Sequence, residues 1–273
     1  MPTVKFYQPE ASLQWIVKQF ETIRHDNINR ILTDKFIPRP DAALVFHFKN
    51  IPSLIAPVQM KLRPFFMAPV VSVPNQLYMQ GQLDGFIVVC KASVLSRLFK
   101  PDTPGKSKII TELPAGIFAP LWEKLDKAGT DRARIACFTK FIQSHSPGGY
   151  TPDAIDMIYD AIADNIQEFS LQDIHTNASG SLSRLQRNFN KRLGVSMKRL
   201  MRIARINYLF KNMLKDQCFN AQKMMFDGNY YDQSHFIKEF KELTGETPKQ
   251  FFGQNTELCR TLSGIFKDDL ISG

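Results

Sequence analysis

Apolar residues recur at helical spacing through the C-terminal half of the chain, and one arrangement of them occurs twice. Leu185 and Phe189 lie four residues apart, and Phe236 and Phe240 repeat that spacing about fifty residues later. A helix carries such a pair on one face. The sequence therefore predicts two copies of one unit, in which a short helix and a tight turn precede a second helix. The short helices are predicted over 170–174 and 219–227, the turns over 176–181 and 228–231, the second helices over 182–192 and 232–241, and a connecting helix over 196–214.

Prolines divide the apolar residues of the N-terminal half into short runs, which excludes long helices there and favours strands and turns. Strands are predicted over 43–48, 65–71 and 86–90, followed by helices over 93–99, 111–125 and 131–144. Pro114 and Pro120 are expected to break the second of these helices. The predicted fold class is α+β: an N-terminal β-rich, barrel-like domain with trailing helices, then an all-α domain of two helix-turn-helix units joined by a long helix.

A proline followed by two glycines marks the boundary between these compositions. The predicted division is a β-rich domain at 1–145, a linker at 146–151, a helical domain at 152–255 and a tail at 256–273.

The helix that follows the linker is predicted to begin with Thr151 as its N-cap and Pro152 in its first position. One face of this helix is acidic, and no Lys or Arg occurs from 151 to 169. A solvated face is the favoured interpretation, and docking on a basic surface of the N-terminal part or of a partner protein is the alternative. The acidic residues are Asp153, Asp156, Asp160, Asp164 and Glu168.

Charge is concentrated after this helix, where ten basic residues occur between 184 and 215 without one acid. The whole chain has a formal net charge of +9 and a pI of about 9.4, which suits an anionic partner. A cationic face on a rigid helical scaffold indicates double-stranded DNA. The ten are Arg184, Arg187, Lys191, Arg192, Lys198, Arg199, Arg202, Arg205, Lys211 and Lys215.

The four cysteines form neither a disulfide framework nor a zinc-binding spacing, so we expect reduced thiols, no metal and no cofactor. No apolar stretch has the length of a signal peptide core or a membrane span. These features lead us to expect a cytoplasmic protein without a membrane partner. The cysteines are Cys90, Cys137, Cys218 and Cys259.

The two units also resemble the DNA-binding part of the AraC family of bacterial transcription regulators. The resemblance is carried by the segments 185–189, 231–241 and 243–248, together with Gly194 and Arg205. It implies that residues 152–255 form a DNA-binding domain, whose two helix-turn-helix subdomains enter successive segments of the major groove. The second helix of each unit then presents its early residues to base edges, after Ser181 and Asp232 as N-caps. The candidate base contacts are Ser183, Gln186, Arg187, Gln233, Ser234, His235 and Lys238, and the candidate phosphate contacts are Arg184, Lys191, Arg199, Lys211 and Lys241.

This chain departs from the family pattern at several packing positions. Larger residues stand where the family has alanine, and Ser or Asn stands where it has a turn glycine. Asn tolerates a positive φ better than Ser does, so the second turn is expected to be less strained than the first. Wider helix spacing is expected. The departures are His175, Ser179, Leu209, Met225 and Asn229.

The segment 85–99 is similar to a strand-and-helix segment of the β-rich sensing domains found in such regulators. In such regulators this domain binds a small effector, forms dimers, or both, so residues 1–145 are expected to be a regulatory, sensing or dimerisation domain. The pocket candidates are His47, Gln80 and Trp15, with core packing as the alternative. The hypothesis is a dimeric, sequence-specific transcription activator without enzyme activity, with RNA polymerase and a small-molecule effector as further candidate partners. The alternatives are a ligand-independent architectural DNA-binding protein and, less favoured, a DNA-repair enzyme fused to an AraC-like unit.

Overall fold

Two antiparallel β-sheets form most of the N-terminal part in a computed structural model of the protein. Their strands are β1 (Thr3–Tyr7), β2 (Val17–His25), β3 (Ile31–Phe36), β4 (Ala42–His47), β5 (Ser53–Ala56), β6 (Met60–Lys61), β7 (Phe65–Ala68), β8 (Asn75–Gln80) and β9 (Leu83–Cys90), with a parallel two-residue strand β10 (Leu270–Ile271) beside β1. The structure describes residues 3–26, 29, 31–36, 38–56, 58–71, 73, 75–99, 110–146, 149–169, 182–216, 221–253 and 270–271.

The larger sheet has the order β10-β1-β2-β9-β4-β7, and the smaller one has the order β3-β8-β5-β6. Together they enclose apolar side chains in the barrel-like arrangement that was expected. All three predicted strands are confirmed, although the run predicted over 65–71 ends at Ala68. Pro69 follows at once, and a proline has no N–H to continue the ladder.

Three helices follow β9: α1 (Ala92–Phe99), α2 (Ala115–Lys127) and α3 (Asp131–His145). The predicted break is wrong at Pro120 but correct at Pro114, because residues 111–113 are not part of the helix. Pro114 is its N-cap, and Pro120 lies inside a continuous helix. The proline removes a single hydrogen bond, while Phe118, Leu121 and Leu125 bury the inner face of the helix and hold it together.

The C-terminal part is helical within the described residues, and its repeat is evident. The helices are α4 (Ala154–Asp164), α5 (Leu182–Leu193), α6 (Met197–Asp216), α7 (Ala221–Asp227), α8 (Gln233–Thr244) and α9 (Pro248–Phe252). Both α5 and α8 have 12 residues. Each is followed by a glycine in the left-handed region, Gly194 with φ 74° and Gly245 with φ 84°, so the chain leaves both helices through the same kind of corner.

The N-cap predicted for α4 is wrong by two residues. Asp153, not Thr151, caps the helix, and its carboxylate accepts hydrogen bonds from the N–H groups of Ile155 and Asp156. Asp153 has the extended backbone of an N-cap, and Asp156 completes a reciprocal capping box with it.

One apolar core runs through both parts of the chain. It extends from Phe20 and Phe138, beside the larger sheet, to Phe189, Phe210 and Phe240 in the helical part. The helix α1 packs against both α4 and α5 across the junction. The two compositions seen in the sequence are therefore joined by packed side chains as well as by the linker.

Some predictions fall outside the described residues: the first helix and turn of the first unit, with His175, Ser179 and Ser181, and also Cys218, Cys259 and most of the tail. Cys90 is a buried free thiol, and Cys137 is a half-buried one. None of the helices in the described ranges is long and apolar enough to span a lipid bilayer.

Candidate nucleic-acid interface

The helix α5 separates a buried face from an exposed polar face. Phe189 and Leu193 are buried and Leu185 is half-buried, which fixes the inner face of the helix against the core. Every base-contact candidate of the first unit lies on the outer side and is exposed, as are two of the phosphate-contact candidates. The exposed candidates are Ser183, Gln186, Arg187, Arg184 and Lys191.

The helix α8 repeats this arrangement in the second unit. Asp232 caps it as predicted, and its carboxylate accepts the N–H of His235 at 2.7 Å. Phe236 and Phe240 are fully buried, and the ring of Phe240 stacks on that of Phe210 in α6 with centroids 5.7 Å apart. The base-contact candidates Gln233, Ser234, His235 and Lys238, and the phosphate-contact candidate Lys241, are all exposed.

The turn before α8 shows how the departures from the family pattern are accommodated. Asn229 has φ 52°, so it takes the positive φ for which it was expected to be suited. Leu209 is buried against this turn, and a Cβ atom at Gly228 would lie 2.9 Å from its Cδ1 atom. The absence of a side chain at Gly228 therefore makes room for the larger residue in the connecting helix.

The connecting helix α6 is bound to the second unit by three arginines. The Nε of Arg202 donates to Glu239 at 2.7 Å, and Arg202 also pairs with Glu242. Arg199 pairs with Glu242 as well, and the guanidinium of Arg205 lies 5.4 Å from the centre of the Tyr230 ring. These arginines hold α8 on α6.

Burial and ion pairing shift the pKa values of two groups in this cluster, Glu242 and Tyr230. The hydrogen bond from Arg202, with that from Arg199, holds the pKa of Glu242 at about 2. Glu239 is buried, and its carboxylate accepts the hydroxyl of Tyr230 at 2.6 Å. Burial raises the pKa of Tyr230, and the neighbouring carboxylate raises it further. The hydroxyl therefore remains a hydrogen-bond donor.

Lys211 lies in a different environment from the other phosphate-contact candidates. Part of its side chain is exposed, but its ammonium group lies close to the N-terminal part. Burial of the ammonium there lowers the pKa of Lys211. Asp41 attracts the ammonium, while Arg39 and Lys18 repel it. Lys211 is thus placed at the junction of the two parts of the chain, apart from the exposed faces of α5 and α8.

The acidic face of α4 is also part of this junction, so its favoured interpretation as a solvated face is wrong. Lys18 binds Asp164 at 2.7 Å and Lys91 binds Asp160 at 2.8 Å, and both lysines belong to the N-terminal part. Arg97 of α1 lies 3.4 Å from Asp156. The alternative, that this face docks on a basic surface of the N-terminal part, is confirmed.

A cavity of about 130 Å³ lies between the two sheets, with a mostly apolar lining. Of the three pocket candidates only His47 lines it, because Trp15 stacks on Tyr150 in the linker and the exposed Gln80 accepts a hydrogen bond from Tyr78. Burial lowers the pKa of His47 to about 4, so the imidazole is neutral near pH 7.

Sequence patterns missed the other polar residues of this cavity. Glu21, Arg39, Asp41 and Asn75 contribute to its lining. The Oδ1 atom of Asn75 is buried and has no hydrogen-bond donor among the described groups. Glu21 lies in the middle of β2, which was not among the predicted strands, so no sequence pattern indicated its place in the cavity.

Comparison with solved structures returned ToxT from Vibrio cholerae. One ToxT structure is 14% identical over 93% of this chain and 97% of that one, with a TM-score of 0.46. A second, described as bound to an unsaturated fatty acid, is 14% identical over 92% of this chain and 94% of that one, with a TM-score of 0.44. Among curated proteins, none matches this chain.

A family model described as a helix-turn-helix domain matches residues 176–254. This range contains α5 to α9. It therefore includes the two helices with the exposed base-contact candidates, the connecting helix, and the glycines Gly194 and Gly245 that follow α5 and α8. The segment 176–254 is a helix-turn-helix domain of the AraC type.

Proposed function

We propose that this protein is a sequence-specific DNA-binding transcription activator that places α5 and α8 in successive segments of the major groove. The observation that carries the proposal is the repeated unit itself. Two helices of equal length each bury a Phe-containing face and expose polar side chains in their first two turns. A helix enters the major groove of B-DNA with its N-terminal residues toward the base edges, which suits both helices.

The exposed side chains have the chemistry for reading bases directly. Arg187 can donate two hydrogen bonds to O6 and N7 of guanine, and Gln186 or Gln233 can pair with N6 and N7 of adenine. Arg184, Lys191 and Lys241 are exposed cations on the same helices and are assigned to phosphates. Arg199 and Lys211 remain weaker assignments, since one pairs with Glu242 and the other lies at the junction.

Control by the N-terminal part is supported by the cavity between its sheets. The lining favours a ligand with an apolar body, and Asn75 offers a buried acceptor for one hydroxyl or amide N–H of that ligand. Neutral His47 adds a further polar group at the wall without a buried charge. We assign a small-molecule effector to this cavity, and homodimerisation to the N-terminal part or the linker.

Selection of bound duplexes from a random DNA pool tests the proposal. We expect enrichment of two short motifs separated by about one helical turn, because the two units are rigidly joined. A variant with both Gln186→Ala and Arg187→Ala should lose one motif and keep the other, and Gln233→Ala with Lys238→Ala should do the reverse. Absence of enrichment, with salt-sensitive binding to every duplex, would instead support the architectural alternative.

A further inference from the structure

Arg192 lies on α5 but differs from the other basic residues of that helix. Arg184, Arg187 and Lys191 are exposed, whereas only 19% of the Arg192 side chain is exposed. Its two terminal nitrogens donate to the two oxygens of Asp153, at 2.8 and 2.6 Å. A two-point contact of this kind fixes the orientation of both groups as well as their distance.

The partner carboxylate is itself held rigidly. Asp153 caps α4 and accepts the N–H groups of Ile155 and Asp156 at 2.9 and 3.1 Å. Burial opposes ionisation of Asp153, but the hydrogen bonds from Arg192 and from the backbone lower its pKa to about 2. Asp153 therefore presents a fixed negative charge to α5 at neutral pH.

A second carboxylate extends this contact to the N-terminal part. Asp156 has 2% of its side chain exposed, and its Oδ1 atom lies 3.6 Å from Nη1 of Arg192. Its Oδ2 atom accepts the hydroxyl of Tyr150 in the linker at 2.6 Å and lies 3.4 Å from Arg97 of α1. Two arginines, one from each part of the chain, thus share one pair of carboxylates.

The linker is also fixed at this point. The ring of Tyr150 stacks on that of Trp15 with centroids 5.0 Å apart, and the guanidinium of Arg97 lies 5.0 Å from the centre of the Tyr150 ring. The C-terminal end of α5 is therefore connected to the N-terminal part by a continuous series of charged and aromatic contacts.

We propose that Arg192 is a positioning residue: through Asp153, Asp156 and Arg97, it aligns the first recognition helix with the N-terminal part and does not contact DNA. This inference rests on the proposed function. A helix held in one orientation loses less conformational freedom when it enters the groove, so these contacts favour reading of the motif assigned to α5. The second helix is held by other residues, Glu239 and Glu242, and does not depend on this contact.

Equilibrium binding of the full-length protein to three duplexes tests the proposal: the selected site, a version with the α5 motif scrambled and a version with the α8 motif scrambled. For Arg192→Ala we expect roughly tenfold weaker binding to the selected site, because α5 loses the two-point contact that aligns it and must be ordered when it binds. Scrambling the α5 motif should then cost little further affinity, while scrambling the α8 motif should cost as much as in the wild type. Arg192→Lys should not restore discrimination, because an ammonium group cannot make the two-point contact.

The neighbouring residue provides a matched control. Lys191 is exposed and assigned to a phosphate, so Lys191→Ala should weaken binding to all three duplexes by the same factor. It should also reduce the slope of log affinity against log salt concentration by about one. Arg192→Ala should leave this slope unchanged. A uniform loss and a reduced slope in Arg192→Ala would show that Arg192 is a phosphate contact and overturn the proposal.

Arg97→Ala tests the extension to the N-terminal part without altering the DNA-binding helices. Arg97 is 41% exposed, so loss of folding is not expected, and circular dichroism of each variant checks this. Discrimination of the α5 motif should fall in the same direction as in Arg192→Ala, but less. Unchanged discrimination in Arg97→Ala would show that the N-terminal part does not help to align α5. If the wild type itself prefers no motif, the proposed function is refuted instead, so failure of this inference can be told from failure of the proposed function.

Discussion

Glu239 in α8 offers the sharpest test of how the second unit is held on the connecting helix. Only 5% of its side chain is exposed, and it accepts hydrogen bonds from Arg202 at 2.7 Å and from the Tyr230 hydroxyl at 2.6 Å. Glu239→Ala leaves the buried hydroxyl without its acceptor, which costs about 1–3 kcal/mol. It also deprives Arg202 of its more buried partner, and breaking a buried pair costs about 3–5 kcal/mol in all. Because Arg202 retains Glu242, we expect a loss near the lower end, about 3 kcal/mol.

The matched control lies one turn further along the same helix. Glu242 pairs with the same Arg202, but 49% of its side chain is exposed. Glu242→Ala should therefore lower the free energy of unfolding by less than about 1 kcal/mol. Urea unfolding of the full-length variants, followed by circular dichroism because most of the affected structure is helical, measures both losses. Equal losses for the two variants, or a loss below about 1 kcal/mol for Glu239→Ala, would refute the argument that burial decides the strength of these pairs.

Three further outcomes are expected. Arg187→Ala should weaken binding to the selected duplex by about 1–3 kcal/mol and relax one base position, as measured by competition with single-base variants of the site; an equal loss on random duplexes would contradict the base contact. Gly245→Ala should lower the free energy of unfolding by about 1–2 kcal/mol because φ is 84° there. Gly129 has no positive φ and open space around it, so Gly129→Ala should lower the free energy of unfolding far less, as measured by thermal unfolding of both variants. His47 has its pKa lowered from 6.5 to about 4, so the folded protein resists its protonation and stability is lost as the pH falls from 6.5 towards 4. His47→Gln should flatten that part of the stability profile, and an unchanged profile would show that other groups cause the loss.

The helical repeat could be predicted because its evidence is local. Phe236 and Phe240 share a face through a spacing of four residues, and Asp232 and Gly245 mark the ends of their helix. The exposure of Gln186 and Arg187 follows from the same periodicity. Neighbours within one helix determine all of these features, so no knowledge of the rest of the fold was required.

The partners of the acidic helix could not be predicted in this way. Periodicity shows that Asp156, Asp160 and Asp164 share a face, but not what lies opposite. Lys18 is 146 residues away from Asp164 in sequence, and Lys91 is 69 residues away from Asp160. A solvated face and a docked face have the same local pattern, and only the packing of the two parts distinguishes them.

The strand β2 was not predicted for a different reason. In β2, the four consecutive residues from Phe20 to Ile23 are all buried, including the polar Glu21 and Thr22. Glu21 is compensated by Arg39 at 3.1 Å and so occupies a position that an apolar residue would normally take. Alternation of polar and apolar residues is lost in such a strand, and with it the usual signal for β-structure. Glu21 was missed as a cavity residue for the same reason, whereas Arg39 and Asp41 lie between β3 and β4, where no periodicity indicates their position.

The apolar core shared by the two parts of the chain also governs how the protein can come apart. Tyr159 and Ile162 of α4 are completely buried, and α1 covers α4 and α5 from the N-terminal side. Separating the parts would bring this apolar surface into water, at about 25 cal/mol for each Å² uncovered. The two parts therefore cannot separate without opening the core. Amide hydrogen exchange in α1, α4 and α5 should then show one common opening free energy, as expected for one cooperative unit and not for two independent domains.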